Sequence, residues 1–156
     1  MTERPVLLPF FSLCLLVTVA VGLGCATGAA PEPAKVETAA AAMTFEEQVA
    51  LGGKAYGQHC ASCHGNAGQG SDQAPAVVGP GALPKDPPAT RKARKGQFRT
   101  AMDIAQFVVT TMPPPPRAKP SETEYWAILA FDLFANGVKS TQAVGPSNAA
   151  AIVIHP

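Results

Sequence analysis

From Thr44 onward, apolar residues recur at helical spacing: Phe45, Val49, Gly52/Gly53 and Tyr56 fall on one face. Thr44-Phe45-Glu46-Glu47 sets a Thr and a Glu three residues apart, so each can satisfy a free amide of a first helical turn. A first helix toward Cys60 is predicted. The stretch Ala101-Met102-Asp103-Ile104-Ala105-Gln106-Phe107-Val108-Val109 predicts a second helix over Thr100–Thr110. It must stop at Met112, because Pro113 to Pro116 cannot continue it. A third helix is predicted from Ser121, where Ser121-Glu122-Thr123-Glu124 repeats the capping pattern. It carries Tyr125, Trp126, Ile128, Leu129, Phe131, Leu133 and Phe134, and Asn136-Gly137 ends it as a left-handed cap. Between the first two helices, Gly65-Asn66-Ala67-Gly68-Gln69-Gly70 has turn chemistry, and a Pro- and Gly-rich loop runs to about Thr100. Val138–Pro156 lacks periodicity and reads as a loose tail, despite Ile152-Val153-Ile154.

Upstream of this helical region the pattern is different. Val6 to Leu23 is almost wholly apolar, interrupted by Pro9, Ser12 and Thr18 and preceded by Arg4. Such a block reads as a secretory signal over residues 1–24. Gly22-Leu23-Gly24-Cys25 resembles a bacterial lipoprotein signal, in which the cysteine becomes the first mature residue and carries lipid. Gly24 is the small residue expected just before Cys25. Gly22 stands where that signal prefers an aliphatic residue. An ordinary cleaved signal ending near Ala26–Ala30 is one alternative. An uncleaved anchor is another, since the run approaches the ~20 residues a bilayer span needs. All three readings export the rest of the chain. Residues 25–43, rich in Ala, Pro, Glu, Lys and Thr, read as a flexible tether, whose coil would span roughly 25 Å. The predicted organisation is therefore signal 1–24, tether 25–43, folded domain 44–137 and tail 138–156.

Composition adds little beyond this. The chain has 156 residues, with 16 Pro and 14 Gly, in keeping with few helices and long loops. A formal net charge of +1 provides no global field for nucleic acid. Lys85, Arg91, Lys92, Arg94, Lys95 and Arg99 form a local basic run. It reads either as a solvated loop or as a docking patch for an acidic redox partner, whose encounter salt would weaken.

Cysteine placement is more informative. Cys14 and Cys25 belong to the apolar block, leaving Cys60 and Cys63 in the domain, too close to staple much of it. Cys60-Ala61-Ser62-Cys63-His64 is Cys-x-x-Cys-His, the attachment signature of c-type haem. The spacing suits the chemistry. Two thiols on one helical turn reach the two vinyl groups along one porphyrin edge, and the adjacent imidazole reaches iron. The other imidazole nitrogen needs a carbonyl acceptor, for which Pro75 is the candidate. Zinc would need more ligands, yet only His59 and His155 lie outside the motif and no second cysteine pair follows. A thioredoxin-type redox pair would need a βαβ pattern, and none is visible. His59 and His155 read as surface or tail residues.

These residues carry a resemblance. From about Phe45 to Gly137 the chain resembles a class I cytochrome c of the short bacterial kind. That family has a glycine eight residues and an aromatic four residues before the first haem cysteine, matched by Gly52 and Tyr56. The resemblance implies that they pack against an aromatic of the last helix, Phe131 first and Trp126 next. It implies a distal methionine ligand ahead of that helix, often followed by proline, and Met112-Pro113 fits. Met102 is the competitor but has core-like helical neighbours, and Met43 precedes the first helix. Four prolines after Met112 are more than the family pattern calls for.

The resemblance implies an all-α, small cytochrome c-like domain with three main helices and long loops around one covalent haem c. Its thioethers would form at Cys60 and Cys63, and its axial ligands would be His64 and Met112. A methionine ligand raises the potential and fills the sixth position. The implied role is a non-enzymatic electron carrier on the periplasmic face of a bacterial membrane, tethered by lipid on Cys25 or by an anchor. Two other roles stand beside it. One is a dedicated haem subunit of a larger oxidoreductase. The other, if Met112 is not a ligand, is a haem sensor or peroxidase-like protein.

Overall fold

The computed structural model describes residues 43–89 and 93–155. The predicted signal, nearly all of the tether, and Cys25 lie outside the described residues. The described residues form an all-α domain. Helix α1 is Phe45–His59, α2 a single turn at Ala61–His64, α3 Ala101–Thr111 and α4 Glu122–Ala135. A 3-10 turn follows at Ala149–Ala151. No helix among the described residues is long and apolar enough to cross a membrane.

Both predicted capping boxes are present. The Thr44 hydroxyl accepts from the Glu47 amide while the Glu47 carboxylate accepts from the Thr44 amide at 2.8 Å. Ser121 and Glu124 repeat this reciprocal pair at the start of α4. At α3 the Asp103 carboxylate takes the Thr100 and Arg99 amides, at 2.8 and 3.0 Å. Helix α3 ends where the prolines begin, and the Lys119 ammonium donates to the free Val109 carbonyl at 2.7 Å.

Helices α1 and α4 make the main packing interface. Gly52 is its closest point. A Cβ there would collide with the Ala127 carbonyl oxygen and stand 2.9 Å from Phe131 Cβ. One turn on, the Tyr56 and Phe131 rings pack with centroids 5.2 Å apart. Phe131 is thus the partner aromatic, while Trp126 is half-buried on the core's flank. Helix α3 crosses α4 and brings Ile104 and Ala105 into the core with Leu129 and Leu133.

The tail is a correction to the sequence expectation. Residues 138–155 are not loose. Val144 and Ala149 are buried in the core. The Gln48 side chain both donates to the Val144 carbonyl, at 2.7 Å, and accepts from its amide, at 2.6 Å. Thr100 and Val153 form an antiparallel bridge, the Ala101 amide donates to the Ile152 carbonyl, and His155 Nε2 lies 2.7 Å from the Leu83 carbonyl. The segment has no helical period because single residues anchor it by backbone hydrogen bonds, and these leave no sequence pattern.

Candidate functional site

The site begins where α1 ends. The Cys60 carbonyl accepts from the amides of both Cys63 and His64, at 3.1 and 2.9 Å, which folds Ala61–His64 into one helical turn. Cys60 and Cys63, three apart on that turn, face the same way. Burial, followed by the neighbouring Asp132 charge, pushes the Cys60 thiol up to about 12. The Cys63 thiol donates to Gln73 Oε1 at 3.3 Å. Gly65, at φ 84°, then breaks the turn, and its carbonyl accepts the Tyr56 hydroxyl at 2.9 Å.

His64 Nδ1 lies 2.8 Å from the Pro75 carbonyl oxygen. A carbonyl only accepts, so Nδ1 carries the proton and Nε2 keeps its lone pair. This is the contact expected from the Ala74-Pro75 pair. Met112 follows α3 with extended backbone, and its carbonyl accepts the Tyr125 hydroxyl at 2.6 Å. The same loop is tied to the cysteine turn, since the Arg117 guanidinium donates to Ser62 Oγ.

His64 and Met112 line one cavity of about 370 Å³. Most of its remaining wall is apolar, including Val77, Leu83, Phe98, Ile104, Phe107 and Val108. Asn136 holds the loop on one side by donating to the Val77 carbonyl, at 2.8 Å, and accepting the Gly79 amide. An apolar cavity of this size, with an imidazole and a thioether in its wall and two thiols on the adjoining turn, fits haem. It does not fit zinc: among the described residues no three His, Cys, Asp or Glu side chains group as metal ligands.

Comparison with known proteins agrees. A family described as "Cytochrome C oxidase, cbb3-type, subunit III" matches residues 47–131. The chain belongs to this cytochrome c family. It is a class I c-type cytochrome, and its chemistry is haem-based electron transfer. No curated protein matches the chain. Among solved structures, the sulfane dehydrogenase SoxCD from Paracoccus pantotrophus aligns at 23% identity and a TM-score of 0.48. That alignment covers 85% of this chain and 68% of the other.

Three residues of the cytochrome's site escaped the sequence reading. Tyr125 stands in the sequence only as one apolar position of α4 among several. Asp132 carried a readable signal, a lone carboxylate on the apolar stripe of α4. Arg94 belongs to the basic run that reads as a solvated loop or a docking patch, both of which expose it, and the structure corrects this. Its side chain turns inward, leaving the residue 7% exposed, and lines the cavity. It donates to the carbonyls of Pro84, Lys85 and Asp86 and stacks 3.9 Å over the Phe98 ring. Loop carbonyls with no helical partner draw the guanidinium in. Lys95 and Arg99 are exposed and Lys85 is half-buried, while Arg91 and Lys92 lie outside the described residues.

Proposed function

We propose that the protein is an exported one-electron carrier with a single covalent haem c, attached through Cys60 and Cys63 and ligated by His64 and Met112. The observation that carries this reading is the convergence of His64 and Met112, distant in sequence, on one apolar cavity beside the Cys60–Cys63 turn. When bound, haem c supplies one-electron transfer at its iron. His64 offers Nε2 because Pro75 takes the Nδ1 proton, which also orients the ring and raises its basicity. Met112 offers its sulfur from a backbone held by Tyr125, and a thioether ligand favours the reduced state. The apolar wall keeps water from the site. With His64 and Met112 both held toward bound haem, the chain would leave oxygen and peroxide no place at the iron, so the role is carriage rather than catalysis. Lys85, Lys95 and Arg99 supply positive charge for docking an acidic redox partner. The N-terminal apolar block and Cys25 tether the domain to the periplasmic face of a membrane.

The test is an absorption spectrum of full-length protein made with haem-attachment machinery, oxidised and then reduced. Covalent haem is expected, with the weak long-wavelength band of methionine-ligated ferric haem. Met112→Ala should lose that band and should bind carbon monoxide when reduced. Carbon monoxide binding by the reduced wild type would instead favour a sensor or peroxidase-like role. Absence of covalent haem would sink the reading. The matched family's description as an oxidase subunit favours a second reading, a dedicated haem subunit of one complex. Stable co-purification with a single enzyme would select it.

A further inference from the structure

One cavity-wall side chain has no part in ligation. Asp132 lies on the buried face of α4, 7% exposed, between Ile128, Leu129 and Leu133. Its Oδ1 is buried without a hydrogen-bond partner. It lines the same cavity as His64 and Met112. A carboxylate left unpaired in such surroundings is costly, and an aliphatic residue would pack there without penalty.

The groups facing it do not neutralise it. From α1 and its end come Tyr56 and Cys60, both of which its charge disfavours as anions. The Tyr56 hydroxyl is engaged with the Gly65 carbonyl. Helix α3 presents Ile104, Ala105 and Val108, none ionisable. On α4 itself the Tyr125 hydroxyl is engaged with Met112. Elsewhere in the cavity wall stand His64 and the Arg94 guanidinium, whose donors point to loop carbonyls. With haem bound, the charge that would vary in this cavity is the one at the iron.

Resting on the haem assignment above, we propose that Asp132 is a redox-linked proton site, protonated when the iron is ferrous and ionised when it is ferric. On reduction, one electron enters from the partner, a one-electron donor protein. The site loses one positive charge, and the Asp132 carboxylate takes one proton from water, forming an O–H bond. Oxidation reverses both transfers. Charges sharing one poorly solvated cavity interact more strongly than in water, and the coupling is reciprocal: the carboxylate favours ferric iron as ferric iron favours the carboxylate. Burial alone pushes this carboxyl up to about 8, well above the ordinary carboxylate range.

The experiment is a spectroelectrochemical titration of holoprotein from acidic to mildly alkaline pH, for wild type, Asp132→Asn and Asp132→Leu. The wild-type midpoint potential should fall with rising pH, approaching about 59 mV for each tenfold drop in proton activity. Both variants should lose that slope. Infrared redox-difference spectra should show a protonated-carboxyl band in the reduced wild type that Asp132→Asn lacks. If neither variant takes up haem, isotope-labelled aspartate in the wild type gives the same infrared reading. Haem bound with a potential independent of pH, or with a slope unchanged in both variants, would overturn this proposal alone. Wild type without covalent haem would overturn the haem assignment and this proposal together.

Discussion

The Tyr125 hydroxyl and the Met112 carbonyl meet at 2.6 Å, thirteen positions apart in the chain. That bond makes an apparent core aromatic the clamp on the methionine loop. Tyr125→Phe keeps the ring and removes the donor. It should cost about 0.5–1.5 kcal/mol, a typical net hydrogen bond, in denaturant unfolding. It should also weaken the long-wavelength band without abolishing it. An unchanged band would show that the prolines and the Arg117 and Lys119 contacts hold the loop without it. His64 was legible at this scale, since a motif histidine needs a carbonyl and Pro75 stood at a plausible distance along the chain. Arg94 was not, because a cation among cations reads as surface until the loop carbonyls that draw it inward are seen.

At the scale of elements, helix starts are the most legible feature, because a capping box is local chemistry within four residues. Thr44/Glu47 and Ser121/Glu124 needed no knowledge of the fold. Gly52 shows the opposite case. In sequence it weakens a helix by about 1 kcal/mol, and only the α1–α4 crossing shows its role. Gly52→Ala should improve local propensity yet destabilise the domain by about 3 kcal/mol or more, because the Ala127 backbone cannot yield to the added Cβ. Thermal or denaturant unfolding would decide. A neutral or stabilising result would mean the two helices can part cheaply. The tail was illegible for a related reason: Gln48 and Val144 hold one another across the fold, and neither looks unusual alone.

For the whole molecule, opposed carboxylates set the pH dependence of stability. Glu47, Asp103 and Glu124 are held below their ordinary values, mainly by backbone amides of Thr44, Thr100 and Ser121. Their contribution is complete above the ordinary carboxylate range and is lost as pH falls through their folded values. Asp132 acts in reverse. An unfolded Asp loses its proton near 3.8, whereas in the reduced protein burial keeps the folded one protonated to about 8. Between those values the native state binds more protons, so stability declines as pH rises. Denaturation midpoints should therefore fall on both sides of a weakly acidic optimum. Asp132→Asn should flatten the arm between about 4 and about 8 and leave the acid arm unchanged. An identical alkaline arm in the variant would show that Asp132 does not titrate as its burial requires.

The sequence by itself determined the helices, their caps and stops, and the Cys60–His64 attachment motif, and the family resemblance pointed to Met112-Pro113. Each of these is written in residues a few positions apart. Only the tertiary structure decided that His64 and Met112 share one cavity, that Arg94 faces inward, that the tail belongs to the core, and that Asp132 is buried without a partner. Those facts depend on which distant groups meet once water is excluded, and no local pattern encodes an encounter across the fold.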